Sequence, residues 1–123
     1  YIYDWKRVKN IYFQPDFFYN FGNYPLNTIP NLNGYHYSLQ LNLYKYIIEN
    51  NYDIKIDGIY ICQFHPFLNN YQIIEALDLD IFISKILNFI KKENFILNPN
   101  KKQIINKYNF EKNHNFNFIN RYL

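Results

Sequence analysis

Tyr1-Ile2-Tyr3-Asp4-Trp5-Lys6-Arg7 decides how the rest of the chain is read. Aromatic and β-branched residues dominate it, and side chains alternate across a strand, so Asp4 and Lys6 share one face while Tyr3 and Trp5 share the other. A polar pair thus stands where a buried strand is normally apolar. A carboxylate is a hard oxygen ligand suited to Mg²⁺, and an ammonium two residues on can stabilise negative charge on a phosphate or orient a metal-bound water. The pair reads either as half of a phosphodiester-cutting site or as a surface ion pair on an edge strand. A second acid-x-Lys triplet, Asp53-Ile54-Lys55, follows Asn50, Asn51 and Tyr52, where a helix is ending, and reads as a turn and strand entry.

Working outward, residues 8–34 carry Pro15, Pro25, Pro30, Gly22 and Gly34, punctuation that excludes a long regular element. The same stretch holds Tyr12, Phe13, Phe17, Phe18, Tyr19, Phe21 and Tyr24, rings that either stack on nucleic-acid bases or close over the core as a lid. From about His36 to Asn50 the pattern is helical. Ser38, Asn42, Lys45 and Glu49 recur at spacings of four, three and four and are expected along a stripe facing water. Gln40 lies almost opposite, beside Tyr44 and Ile47, and so points inward; Tyr37, Leu41, Tyr44 and Ile48 form the packed flank. An unpaired buried amide costs about 1–3 kcal/mol, so Gln40 needs a partner: a backbone group, a site residue or a substrate phosphate.

Residues 54–64 alternate as a largely buried strand that His65-Pro66 ends, because proline cannot continue an interior ladder. A turn at Phe67–Asn70 leads to a shorter strand from Tyr71 to about Ala76. Asp78 or Asp80 can cap a second helix running to about Glu93, with Leu79, Phe82, Ile83, Ile86, Leu87 and Ile90 at core spacing. His65 reads as a turn histidine and Cys62 as a small core residue. After Pro99 the chain is rich in Asn and Lys, with Phe110, Phe116 and Phe118 scattered through it. A short helix near Lys102–Tyr108 is compatible with that stretch, which otherwise reads as a mobile tail.

The 123 residues leave room for one modest domain, taken as residues 1–97 with a tail at 98–123. Fourteen Tyr and twelve Phe, with abundant Asn, Ile and Lys, point to AT-rich coding, so the aromatic excess is not by itself chemistry. The net charge of +3 is compatible with a polyanionic partner without requiring one. A single cysteine excludes an internal disulfide and a cysteine-based zinc cluster. With no apolar run of membrane-spanning length and no signal peptide, a soluble, intracellular protein with no membrane partner is expected. The chain opens inside a strand without an initiator Met, which suggests a fragment of a longer protein.

The order strand with Asp-x-Lys, loop, helix with Gln-x-x-x-Tyr, strand resembles the PD-(D/E)xK nuclease superfamily. The likeness is to the RecB-type exonuclease branch of phages, large DNA viruses and recombination enzymes, and it covers roughly residues 1–77. Asp4-Trp5-Lys6 is similar to the acid-x-Lys motif, and Gln40-Leu41-Asn42-Leu43-Tyr44 to the Gln-x-x-x-Tyr motif. The resemblance implies an α/β, restriction-endonuclease-like core: a mixed sheet flanked by helices, in the order strand, helix, strand, strand, helix, with a right-handed crossover between the first two strands. It implies Asp4 as a Mg²⁺ or Mn²⁺ ligand, Lys6 as catalytic, and Gln40 and Tyr44 lining the site. Arg7, Lys9 and Tyr37 are expected to contact DNA, and a fused or associated helicase or recombination protein is a further implied partner. The family's remaining acids and first helix find no counterpart here and are expected upstream of residue 1. The activity expected of the complete protein is metal-dependent hydrolysis of DNA. The alternative is a catalytically degenerate fold that binds nucleic acid or protein.

Overall fold

The computed structural model describes residues 1–14 and 20–97, the last four by backbone only. Pro15, Phe17, Phe18 and Tyr19, and everything expected of residues 98–123, lie outside them. The elements run β1 (Ile2–Arg7), α1 (Asn33–Asn51), β2 (Ile59–Phe64), β3 (Gln72–Glu75) and α2 (Asp80–Leu97). The molecule is thus α/β with a three-stranded mixed sheet ordered β1-β2-β3. β1 and β2 are parallel, with Ile2 opposite Ile59 and Lys6 opposite Gln63, while β2 and β3 are antiparallel. Parallel neighbours require a long crossover, and α1 supplies it.

α1 is the central layer. One side packs on the sheet around buried Leu41, Ile59, Ile61 and Ala76, with Ile2, Ile11, Phe13, Tyr37 and Tyr44 closing in. Its other side meets α2 and the 20s loop through Leu26, Ile29, Leu39, Leu79, Ile83 and Ile86. Burial on two sides removes apolar area from water on both, at about 25 cal/mol per Å². Ordering the loop ahead of α1 falls to Asn33, whose Oδ1 accepts from the Tyr12 N–H at 2.8 Å and whose Nδ2 donates to the Asn10 carbonyl at 2.9 Å. At Gly34 the loop passes so close that a Cβ would stand 2.6 Å from the Tyr12 carbonyl oxygen. Only glycine fits there.

Three expectations are corrected by this arrangement. Ser38 and Asn42 do not face water: both are fully buried, because the connection from β3 to α2 docks along their stripe. The Ser38 hydroxyl accepts from the Leu77 N–H at 3.1 Å, and Asn42 donates to the Leu77 carbonyl at 2.7 Å and accepts from the Leu79 N–H at 3.0 Å. Farther along, Lys45 pairs with Asp80 at 2.8 Å and Glu49 accepts from the Ile56 N–H at 2.8 Å. The stripe is a seam for backbone groups rather than a solvated edge.

The second correction concerns residues 54–58, which are not strand. The β1–β2 ladder begins at Ile2 opposite Ile59, the Ile56 N–H turns to the Glu49 side chain, and Ile54 is 54% exposed. The third concerns flanking. α2 rests on α1 and not on the sheet, so among the described residues both helices lie to one side. The opposite face of the sheet carries Tyr3, Trp5, Phe64 and Ile73, all exposed. No described helix is long and apolar enough to cross a membrane.

Candidate functional site

Alternation along β1 turns Ile2, Asp4 and Lys6 toward α1, and Tyr3, Trp5 and Arg7 away from it. On α1, Tyr37, Gln40 and Tyr44 are spaced three and four apart and form one stripe opposite that face. The side chains meet. Lys6 Nζ lies 2.7 Å from Gln40 Oε1 and 2.8 Å from Asp4 Oδ2, with the Tyr37 ring centroid 4.8 Å away. Gln40 Nε2 in turn donates to the Tyr44 hydroxyl oxygen at 2.7 Å.

Chemistry fixes the direction of this chain. An ammonium can only donate, so the Gln40 oxygen must face Lys6 and its NH₂ must face Tyr44. Gln40 therefore has the site-residue partner that its inward position required. The Lys6 and Asp4 side chains retain 19% and 21% exposure, enough for one end of the cluster to meet a ligand. An ammonium has three donors. One goes to Gln40 and one faces Asp4, which leaves a third for an incoming oxygen.

Asp4 Oδ2 is buried and, despite its ion pair, has no aligned hydrogen bond. A buried oxygen without one is uncommon and calls for an explanation such as an ion or a ligand. It fits a divalent cation as a single ligand. Mg²⁺ demands near-octahedral coordination, however, and among the described residues no three His, Cys, Asp or Glu side chains gather. The residues present do not make a metal centre by themselves.

Burial raises the Tyr44 phenol above its ordinary value, with Asp4 adding to the shift and the Gln40 hydrogen bond opposing it. Tyr44 therefore stays protonated at neutral pH. Burial, seconded by Asp4, also raises the Cys62 thiol, so Cys62 is not a thiolate nucleophile at neutral pH. It is 1% exposed, a small core residue as its sequence context suggested.

Of the remaining residues singled out in the sequence, Tyr37 joins the cluster through its ring. Arg7 lies on the opposite face of β1, and Lys9 sits beyond the strand end with Nζ 5.9 Å from the Phe67 ring. Neither belongs to the Asp4–Lys6 group. Gln63 was not singled out and should have been. It neighbours Lys6 across the β1–β2 pair, is 5% exposed, and donates through Nε2 to the Val8 and Lys9 carbonyls at 3.2 and 2.7 Å. The signal was available, since a glutamine in phase with Ile59 and Ile61 stands at a core position just as Gln40 does. The loop rings divide: Phe13 packs into the core, while Tyr12, Phe21 and Tyr24 are exposed.

The chain matches no family model, no curated protein and no solved structure.

Proposed function

We propose that residues 1–97 form the C-terminal part of a metal-dependent nuclease domain acting on DNA phosphodiester bonds. The observation that carries this is the convergence of Asp4, Lys6, Gln40 and Tyr44 from two elements 34 residues apart in sequence on one partly open cluster. A lysine held between a carboxylate and an amide oxygen offers its remaining N–H to a non-bridging phosphate oxygen or to the attacking water. Charge that develops on the phosphate is then met by a donor already in place, which lowers the barrier without reorganisation. Gln40 holds Lys6, and Tyr44 holds Gln40.

A bound Mg²⁺ or Mn²⁺ would lower the pKa of a water and neutralise the phosphate. Asp4 would contribute one ligand to it, and the others would have to come from outside the described residues. The test is hydrolysis of linear DNA by the full-length natural protein with Mg²⁺. Lys6→Ala is expected to lower kcat by about 10²-fold or more, the typical worth of a preorganised charge-stabilising donor. An unchanged rate would remove Lys6 from the site and the proposal with it.

The single carboxylate favours a second reading, a fold of this kind that binds nucleic acid or protein without cutting. DNA binding by the full-length protein with no hydrolysis under any divalent cation would establish it.

A further inference from the structure

The face of the sheet turned away from α1 is not uniform, and its two ends differ in both charge and ring geometry. Read across the register, one end places Tyr3 beside Tyr60 and Glu75, and the other places Arg7 beside Phe64, with Tyr71 following. Tyr3 and Tyr60 stack on each other, with centroids 5.2 Å apart and planes 18° apart, next to a carboxylate. At the Arg7 end Trp5 meets Tyr71 at 60° and Phe64 at 64°, tilted and edge contacts that leave Trp5 and Tyr71 more than half exposed. Arg7 has no ion pair among the described residues.

That end also holds a groove of about 640 Å³, lined by Arg7, Phe64, His65, Asn69, Asn70 and Tyr71 among others, with no carboxylate. The depression is shallow and open to solvent. His65 Nδ1 accepts from the Phe67 N–H at 3.2 Å, which assigns the ring proton to Nε2 in the neutral form. The groove thus combines one unpaired guanidinium, exposed ring surface, amides that both donate and accept, and one further N–H donor. A planar heterocycle joined to an anion satisfies all of them. A carboxylate-bearing peptide would use Arg7 and leave the rings idle.

We propose that this groove seats one unpaired nucleotide, with phosphate on Arg7 and base on Tyr71 or Trp5. It lies on the face of β1 opposite Asp4 and Lys6. Given the nuclease reading, on which this inference rests, a strand engaging both would pass around the end of β1 at Val8–Lys9, the turn that Gln63 clamps. The seat then selects DNA with an unpaired end.

Trp5 is the only tryptophan in the chain and touches Phe64 and Tyr71, which line the groove, so its fluorescence reports occupancy. The 123-residue chain, in EDTA to prevent cleavage, is titrated with a single-stranded oligo-dT and with a duplex of equal length. Saturable quenching by the single strand alone is expected. Tyr71→Ala should weaken it by about tenfold or more, Tyr71→Phe should restore it, and Arg7→Ala should lower the slope of log affinity against log salt by about 0.7. Tyr60→Ala, at the acidic end, should bind as the parent does. Both Tyr71 and Arg7 are exposed, and a matching thermal melt confirms that the variants fold.

Equal quenching by duplex, parental binding by Tyr71→Ala, or equal losses from Tyr60→Ala and Tyr71→Ala would overturn the seat, the last spreading the binding surface over the whole face. Because binding is read without hydrolysis, failure here leaves the Lys6 cleavage test standing. Success here in a protein that never cuts would remove only the nuclease reading.

Discussion

The two faces of β1 invert the usual division of residues. The face packed on α1 carries an acid and a lysine, Asp4 and Lys6, while the face turned away carries Tyr1, Tyr3 and Trp5, each more than half exposed. Parallel strands are normally covered on both sides. On the inner side α1 supplies the cover and also the amide and ring that make a part-buried ammonium tolerable. The outer rings have no described cover and contribute contact area without burial. Hydrophobicity alone therefore misassigns this strand, and the pairing of Lys6 with Asp4, Gln40 and the Tyr37 ring is what makes its polar side tolerable inside.

The largest test of that contrast is stability. Ile61 on the inner side is fully buried, and Ile61→Ala should cost about 2–5 kcal/mol. Ile73, paired with Cys62 on the outer side and 53% exposed, should lose about 1 kcal/mol or less on the same truncation. Urea denaturation with parallel m-values measures both, and equal costs would mean that the outer face is covered in solution.

Next comes the polar seam. Asn42→Ala strips the Leu79 N–H and the Leu77 carbonyl of their partner in a buried setting, and a loss of roughly 2–3 kcal/mol is expected in the same measurement. A change near zero would return the stripe to the solvent.

The inner cluster should respond more weakly. Lys6→Met leaves a largely buried carboxylate without its cation and should cost about 1–3 kcal/mol, and Asp4→Asn in the same chain should recover part of it. Strictly additive losses in the double-mutant cycle would show that the pair is uncoupled.

The smallest effect is acid sensitivity at His36. Burial lowers its pKa below 6.5, so the folded state holds fewer protons than the unfolded one below that value. Its contribution is present above pH 6.5 and is lost as pH falls through the lowered pKa. His36→Gln, which can still donate to Asn31, should flatten the fall of the thermal midpoint as pH drops below 6.5.

Much of this architecture was legible from spacing. Period two placed Asp4 with Lys6, and the 3.6-residue turn placed Gln40 with Tyr44 on the buried side. Leu79, Ile83 and Ile86 read as core positions, and they are, Leu79 just ahead of α2 and the other two on it. What failed was the assumption that a polar stripe faces water. Ser38 and Asn42 are in phase with Lys45, and nothing local distinguishes a serine that meets solvent from one that meets the backbone of residues 77–79.

The amino-acid order by itself settled which side chains share a face, because those periods are properties of the backbone. The tertiary structure alone decided what each face meets. α1 had to be laid between the sheet and α2 before Gln40 could reach Lys6, before Asn42 could bind the α2 entry, and before the aromatic side of β1 was left outside. Satisfying a buried donor or acceptor depends on a partner dozens of residues away, and no local pattern encodes that distance.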